Sequence, residues 1–259
     1  RQCKALSFGV FGAEVFGLYI LAWSVIDLVS KIGNFALDKG VLKFVVEYRS
    51  DGHNEAVYRT LGHAIAIGLT LSAIIAGFLS LLAPVIAVRV FDKPELESMM
   101  YALALTVPFL SFTQIVLGAV KSLKIMKFDA YIKSVAEPLF LFVGAVVCFM
   151  VGWQVNGIAV AHLLAAIGGS VLAVFAFRHF FSWRQCLNGM KQVRLWSELT
   201  RFSLPVMLTD LIYGVLTQLD VLMLGWFVGK GQVYLIGIYV LARRIASVML
   251  KAPQAFDPI

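Results

Sequence analysis

The most constraining feature of this sequence is a stretch of forty residues, 138–177, that contains no Asp, Glu, Lys or Arg. A bilayer-spanning helix needs about 20 apolar residues, so this stretch has the length of two spans. The sequence Gly-Trp-Gln-Val-Asn-Gly at 152–157 lies in its middle and is typical of a tight turn. The pattern therefore predicts two membrane helices joined as a hairpin.

Composition extends this conclusion to the whole chain of 259 residues. Hydrophobic residues make up 60% and charged residues 14%, whereas a soluble domain carries about 25% charged residues. Lipid leaves the backbone no hydrogen-bond partner but itself, so an all-α polytopic membrane protein is predicted. The net charge of +7 fits basic residues beside membrane spans, and no stripe of basic and aromatic residues indicates a nucleic-acid partner.

Seven spans are predicted from the apolar segments. Two further windows are free of charged residues, and three apolar segments carry isolated charges. The predicted spans are 15–37, 64–88, 98–120, 132–152, 155–177, 202–228 and 232–255.

The linkers between these spans alternate in basic charge. Three linkers together hold twelve Lys and Arg residues, and the other three together hold three. The basic linkers are 38–63, 121–131 and 178–201, and the others are 89–97, 152–157 and 229–231. The positive-inside rule places the basic linkers in the cytoplasm. Trp183 and Trp196 lie among the basic residues of linker 178–201, which predicts an interfacial helix there.

A short internal repeat indicates two related halves. Residues 17–22 (GLYILA) and 237–242 (GIYVLA) are identical at four of six positions, and the alternative is coincidence among common apolar residues. Transporters are often built from such repeats. A full span precedes the second copy, whereas only fourteen residues precede the first span. We therefore expect a six-helix lobe at 1–177 that lacks most of its first helix, a linker at 178–201, and two helices of a second lobe at 202–259. A cleaved signal at the start is the alternative.

Five segments resemble motifs of one transporter family, in the family's order. They are residues 11–19 (FGAEVFGLY), 42–49 (LKFVVEYR), 201–205 (RFSLP), 219–225 (LDVLMLG) and 237–239 (GIY). They resemble the polysaccharide-export flippases of the multidrug/oligosaccharidyl-lipid/polysaccharide exporter superfamily, in the branch that handles O-antigen and capsule precursors.

The resemblance implies a fold of two six-helix lobes that work by alternating access, of which about seven spans are present. It implies transport of undecaprenyl-pyrophosphate-linked oligosaccharide from the cytoplasmic to the outer leaflet of a bacterial or archaeal cell membrane. The implied partners are that lipid-linked oligosaccharide, the bilayer, and polymerase or ligase machinery of surface polysaccharide and lipopolysaccharide biosynthesis. Asp27 and Lys31 depart from the family's pattern, which expects uncharged residues there.

Charges inside membrane spans are costly, at about 2.5–3.5 kcal/mol for a residue at the bilayer centre, and they usually face a cavity or a partner. Asp27 and Lys31 are four residues apart and share one helix face. They form either a structural pair or a polar lining, in which Lys31 meets phosphate and Asp27 meets a proton or sugar hydroxyls. Interfacial snorkelling of the two side chains is a third reading.

Three acidic residues are candidates for ion coupling or for pairing between helices: Glu137, Asp210 and Asp220. Glu137 lies four residues after Lys133, so a local ion pair is the alternative to a coupling role. Asp210 and Asp220 lie ten residues apart on one span, about 15 Å in depth. Each is a candidate partner for an arginine of the next span.

Arg243 and Arg244 are adjacent on the last span, so they point about 100° apart and cannot both face one partner. A guanidinium matches phosphate oxygens bidentately, so one of the two is a candidate for binding pyrophosphate. The alternative is an ion pair with Asp220 or Asp210.

No sequence motif indicates catalysis or a cofactor. The chain has no Walker loop, no Gly-x-Ser-x-Gly elbow and no Cys/His cluster with metal-ligand spacing. A transporter is therefore expected, with no catalytic residue, metal or cofactor. The alternatives are a multidrug or cation antiporter or a lipid II flippase of the same superfamily, and a membrane polymerase or ligase of the same pathway.

Overall fold

The computed structural model describes residues 12–153, 156–189 and 196–254, and within those ranges it contains helices and no strand. The all-α prediction is therefore confirmed. The α-helices are α1 (Ala13–Asn34), α2 (Leu37–Ser50), α3 (Asn54–Pro84), α4 (Glu95–Ala104), α5 (Thr106–Lys121), α6 (Lys127–Tyr131), α7 (Glu137–Met150), α8 (Gly157–Phe180), α9 (Trp183–Gly189), α10 (Trp196–Phe227) and α11 (Tyr234–Gln254).

Six helical runs among the described residues are long and apolar enough to cross a membrane, one fewer than predicted. The seventh predicted span, 232–255, corresponds to α11. This helix has 21 residues, a length of about 32 Å that is sufficient for a span. It is less apolar than the six runs, because it contains three charged residues, Arg243, Arg244 and Lys251.

The cytoplasmic linkers are more helical than the charge pattern predicted. Only residues 51–53 separate α2 from α3, so most of the predicted linker 38–63 continues the neighbouring helices. The first predicted span ends at Asn34 rather than at residue 37, because Phe35 and Ala36 adopt the left-handed conformation with φ of 51° and 49°. The chain changes direction at these two residues and resumes as α2.

Two prolines are associated with wider helical turns. Pro84 ends α3, and the π-helical turn Val85–Val90 follows it directly. Pro138 is the second residue of α7, and the π-helical turn Ile132–Ala136 directly precedes this helix. Proline has no N–H and its ring clashes with the carbonyl one turn earlier, so the wider turn before Pro138 accommodates it without ending the span.

The linkers predicted on one side of the membrane lie together at one end of the bundle, and those predicted on the other side lie together at the opposite end. At one end, the Ser98 hydroxyl donates to Asn156 Oδ1 at 2.7 Å, which joins the start of α4 to the hairpin before α8. At the other end, the Tyr48 hydroxyl donates to Glu198 Oε2 at 3.1 Å, which joins α2 to α10. We call these the outer end and the inner end, following the orientation predicted from the basic linkers.

The predicted interfacial segment contains one short helix, α9, while residues 190–195 lie outside the described residues. Its Trp183 ring packs on Phe177 with ring centres 4.4 Å apart, and Cys186 is 2% exposed. Trp196 begins the long helix α10 instead of belonging to the interfacial segment. The segment is therefore docked against the bundle by its apolar side.

Candidate functional site

The buried apolar side chains form two clusters, one toward each end of the bundle. The outer cluster includes Phe16, Leu103, Ile158 and Val221, and the inner cluster includes Leu37, Leu61, Ile115, Phe177 and Leu199. On α3, α5, α8 and α10, the members of the outer cluster lie toward one end and those of the inner cluster toward the other.

Polar side chains occupy the level between these two clusters, which we call the polar layer. Its residues are Asp27, Lys31, Asn34, Ser72, Ser111, Thr113, Glu137, Ser170, Asp210 and Gln218. Hydrogen bonds connect neighbouring members: Ser170 Oγ lies 3.0 Å from Thr113 Oγ1, and Ser111 Oγ donates to Asn34 Oδ1 at 3.5 Å. Buried polar groups need such partners. Because polar side chains take the place of apolar ones here, apolar packing between the helices is weaker at this depth.

Asp27, Lys31 and Gln218 form the part of the polar layer between α1 and α10. Lys31 Nζ lies 3.5 Å from Asp27 Oδ2, and Gln218 Nε2 donates to the same oxygen at 3.3 Å. Ser24 donates to Gln218 Oε1 at 3.2 Å. The side chains of Lys31 and Asp27 keep 28% and 29% of their area exposed. The ion pair therefore retains faces on which it can bind another polar group.

Gly214 of α10 makes room for the stem of Lys31. A Cβ added at Gly214 would lie 2.5 Å from Lys31 Cε and 2.8 Å from Cδ, closer than two carbon atoms can approach. The lysine side chain therefore lies flat across α10 where that helix has no side chain. The sequence pattern gave no indication of this pairing, because the two residues are 183 positions apart.

Asp210 lies nearer the inner end and pairs with Lys39 of α2 through Nζ and Oδ1. Arg243 of α11, a partner considered from the sequence, pairs with Asp220 instead. The sequence analysis treated Lys39 only as one basic residue of a cytoplasmic linker. It missed the pair because linker 38–63 was not expected to be helical.

Asp220 pairs with Arg243, which identifies the arginine that faces α10. Arg243 Nη1 donates to both carboxylate oxygens at 2.8 Å, and Nη2 donates to the Thr217 carbonyl at 2.6 Å. The Tyr239 hydroxyl also donates to Asp220, at 2.7 Å. These contacts occupy much of the Arg243 guanidinium and of the Asp220 carboxylate, an arrangement that joins α10 to α11. No hydrogen bond or ion pair among the described residues links this cluster to Asp27 or Lys31.

Arg244 lies within electrostatic reach of the Tyr19 hydroxyl. Tyr19 is fully buried, and its hydroxyl lies 2.7 Å from His162 Nδ1. The Trp23 ring packs on His162 with ring centres 4.1 Å apart and the ring planes tilted by 34°. The isolated His162 of the sequence is therefore a packed residue that joins α8 to α1.

Glu137 lies at the far side of the polar layer, against α8. A Cβ added at Gly169 would lie 2.7 Å from Glu137 Oε1. Lys133 pairs with Asp129 at 3.4 Å, so the Lys133–Glu137 pair considered from the sequence is not formed. Within the described part of the chain, no side chain forms an ion pair or hydrogen bond with the Glu137 carboxylate.

Lys93 is a polar residue of the outer end that the sequence analysis left among ordinary linker residues. It is 1% exposed, and its Nζ donates to the carbonyls of Phe91 at 3.1 Å, Gly225 at 2.9 Å and Val228 at 2.8 Å. Gly225 lies in the last turn of α10 and Val228 directly follows the helix, at the end where the helix dipole favours a cation. A lone Lys in an acidic loop gave no signal of this contact.

The geometry of the pair suits the binding of polar groups. A cation and a carboxylate with free faces can bind an anionic group and hydroxyl groups, respectively. Across residues 12–153, 156–189 and 196–254, no group of three or more His, Cys, Asp or Glu side chains is arranged to hold a metal ion. The fold and the polar layer define a helical membrane protein with a polar site between its helices.

The comparison with protein families identifies which such protein this is. The family described as polysaccharide biosynthesis protein matches residues 9–252, nearly the whole chain. The chain belongs to this family, which comprises the O-antigen and polysaccharide flippases of the exporter superfamily named above. The resemblance seen in the sequence is therefore confirmed. No curated protein and no solved structure matches the chain significantly.

Proposed function

We propose that this protein moves an undecaprenyl-pyrophosphate-linked oligosaccharide from the cytoplasmic to the outer leaflet by alternating access. The observation that carries the proposal is the Asp27–Lys31 pair, which remains partly exposed between α1 and α10. An apolar bundle tolerates such a pair where a polar solute passes. Membership in the polysaccharide biosynthesis family supports a transporter of polysaccharide precursors.

The residues of the pair have complementary roles in this proposal. The Lys31 ammonium attracts the pyrophosphate, and Asp27 with Gln218 accepts and donates hydrogen bonds to sugar hydroxyls. No covalent bond changes, so the protein supplies a polar path and two states of similar energy. The lipid tail remains in the bilayer while the head group crosses.

Glu137 is the candidate of choice for ion coupling. Its carboxylate lies in the polar layer, and α7 begins there beside a π-helical turn that loosens the backbone ladder. Arg243 and Asp220 are assigned to joining α10 and α11, because their hydrogen bonds are directed at each other. Arg244 remains the arginine proposed to contact the pyrophosphate.

The deciding experiment locates the saccharide lipid in cells that lack this protein. Undecaprenyl-pyrophosphate lipids are extracted, and a membrane-impermeant probe determines which leaflet holds their saccharide. The proposal expects complete repeat units on the cytoplasmic face of the cell membrane, and their structure names the substrate.

The same experiment tests the competing functions. Unpolymerised repeat units on the outer face would contradict the flippase and favour a polymerase or ligase of the pathway. Unchanged saccharide lipids would also contradict it and favour drug efflux or transport of another lipid, lipid II included.

A further inference from the structure

We propose that two lysines form opposing latches that hold the two ends of α10 against the N-terminal part of the chain, and that each latch opens in turn as the protein changes state. Lys93 is the outer latch, and Lys39 with Asp210 is the inner latch. The inference deepens the proposed alternating access, and it rests on that proposed function.

The two latches join opposite ends of α10 to different segments: Lys93 belongs to the loop before α4, and Lys39 belongs to α2. Gly225, which accepts from Lys93, lies fifteen residues from Asp210 along α10, a distance of about 22 Å. Between them lies the Gln218–Asp27 contact of the polar layer. α10 is therefore held at both of its ends, on either side of its contact with the polar layer.

The outer latch is shielded from water, and water molecules can replace its hydrogen bonds when it opens. Lys93 is 1% exposed and donates to carbonyl oxygens from both sides of the contact. An ammonium and free carbonyl groups are both well hydrated when they separate, so opening leaves no polar group stranded. Gly225 allows the close approach, because a Cβ there would collide with the side chain of Leu21.

The inner latch is a half-exposed ion pair with apolar support. The side chains of Lys39 and Asp210 are 47% and 32% exposed. Beside them, a Cβ at Gly40 would lie 2.8 Å from Leu199 Cδ1, so α2 and α10 pack closely here. Water already reaches this pair, so it opens more readily than the outer latch.

The test measures access to each end separately in the full-length protein, with Cys3, Cys148 and Cys186 replaced by Ala. Val221→Cys reports on the outer end and Leu199→Cys on the inner end, since both native side chains are 2% exposed within the two apolar clusters. A membrane-impermeant maleimide is applied from outside in cells and from inside in inverted vesicles.

The proposal expects opposite changes at the two ends. Lys93→Met raises outer labelling of Val221→Cys about tenfold and lowers inner labelling of Leu199→Cys. Asp210→Asn raises inner labelling and lowers outer labelling. Arg89→Met and Arg49→Met are matched controls, because each removes an exposed cation near the same end without contacting α10. Both controls leave labelling unchanged.

Two outcomes would overturn the latches. Labelling that rises at both ends with Lys93→Met means that the residue only stabilises the fold. Labelling that does not respond to either variant means that neither contact limits opening. The labelling measurement needs no substrate. If labelling changes in opposite directions at the two ends while the leaflet experiment contradicts the proposed function, the saccharide lipid is rejected as the substrate and the latches are retained.

Discussion

Gly17 and Gly237 occupy the same position of the internal repeat, and each packs against the other's helix in the same way. A Cβ at Gly17 would collide with the carbonyl oxygen of Val233, and one at Gly237 would lie 2.9 Å from that of Ala13. Val233 precedes Gly237 by four residues, just as Ala13 precedes Gly17. The two copies therefore meet across a local two-fold relationship, which supports the repeat read from the sequence.

Adding one methyl group at this crossing should weaken it. Gly17→Ala and Gly237→Ala each lower stability by about 1–3 kcal/mol, because the backbones must move apart. Gly77→Ala is the control, since a Cβ there meets no atom within 4 Å and the helix gains up to about 1 kcal/mol in propensity. Thermal unfolding in detergent measures the difference. Equal midpoints for all three variants would contradict the close crossing.

Lys31 should be required for transport in a way that depends on its charge. Lys31→Gln reduces export of the saccharide lipid about tenfold or more, whereas Lys31→Arg retains part of it because the guanidinium still binds phosphate. Lys124→Gln removes an exposed charge from a basic linker and leaves export unchanged. The readout is the fraction of saccharide in the outer leaflet at equal protein levels. Normal export by Lys31→Gln would remove this residue from the site.

Asp220 and Arg243 should behave as a coupled pair. Asp220→Asn and Arg243→Gln each lower the unfolding midpoint, and the double variant is no worse than the more damaging single one. Hydrogen-bonded pairs between membrane helices are worth about 0.6–1.7 kcal/mol, which sets the expected coupling. A double-mutant cycle by thermal unfolding measures it. Additive losses would show that the two side chains act independently.

The Tyr19 hydroxyl should stabilise the contact of α1 with α8. Tyr19→Phe removes its hydrogen bond to His162 and costs about 1–2 kcal/mol, because both side chains are buried. Tyr131→Phe is the matched control, since that side chain is 70% exposed. Unfolding midpoints of the two variants that agree within error would argue against a structural role for the bond.

Cys186 should resist thiol reagents in the folded protein. Burial raises the pKa of this thiol to about 12, so at pH 8 only about one molecule in ten thousand carries the thiolate. Leu187→Cys, at a neighbouring position that is 61% exposed, should react readily. Maleimide labelling of the two sites before and after denaturation makes the comparison. Rapid labelling of folded Cys186 would contradict its docking.

The same raised pKa has a consequence for stability. The folded state keeps the proton of Cys186 at pH values where the unfolded chain has lost it, so the unfolded state binds fewer protons. Stability from this group is therefore complete below the ordinary thiol pKa and is lost as pH rises toward 12. Cys186→Ala should flatten the fall in unfolding midpoint above about pH 9. An unchanged slope would contradict this linkage.

Sequence patterns located the helices better than they located their ends. The windows 64–88 and 98–120 lie inside helical runs, because apolar length alone decides what a bilayer accommodates. The break at Phe35 was missed, since neither Phe nor Ala favours the left-handed conformation found there. Segment 38–63 was predicted as a linker because it is rich in basic residues. Lys and Arg are also favourable inside a helix, so basic charge does not indicate where a helix ends.

The sequence by itself determined the helical membrane class, the family and the residues that carry unusual charge, because these follow from composition, length and motif order along one chain. Tertiary structure decided which charges meet. Asp220 pairs with Arg243, and Asp210 pairs with Lys39. Buried Lys93 donates to a carbonyl at the end of α10. Such pairings depend on how helices far apart in sequence are rotated and staggered, and side-chain packing fixes that rotation and stagger only after the helices assemble.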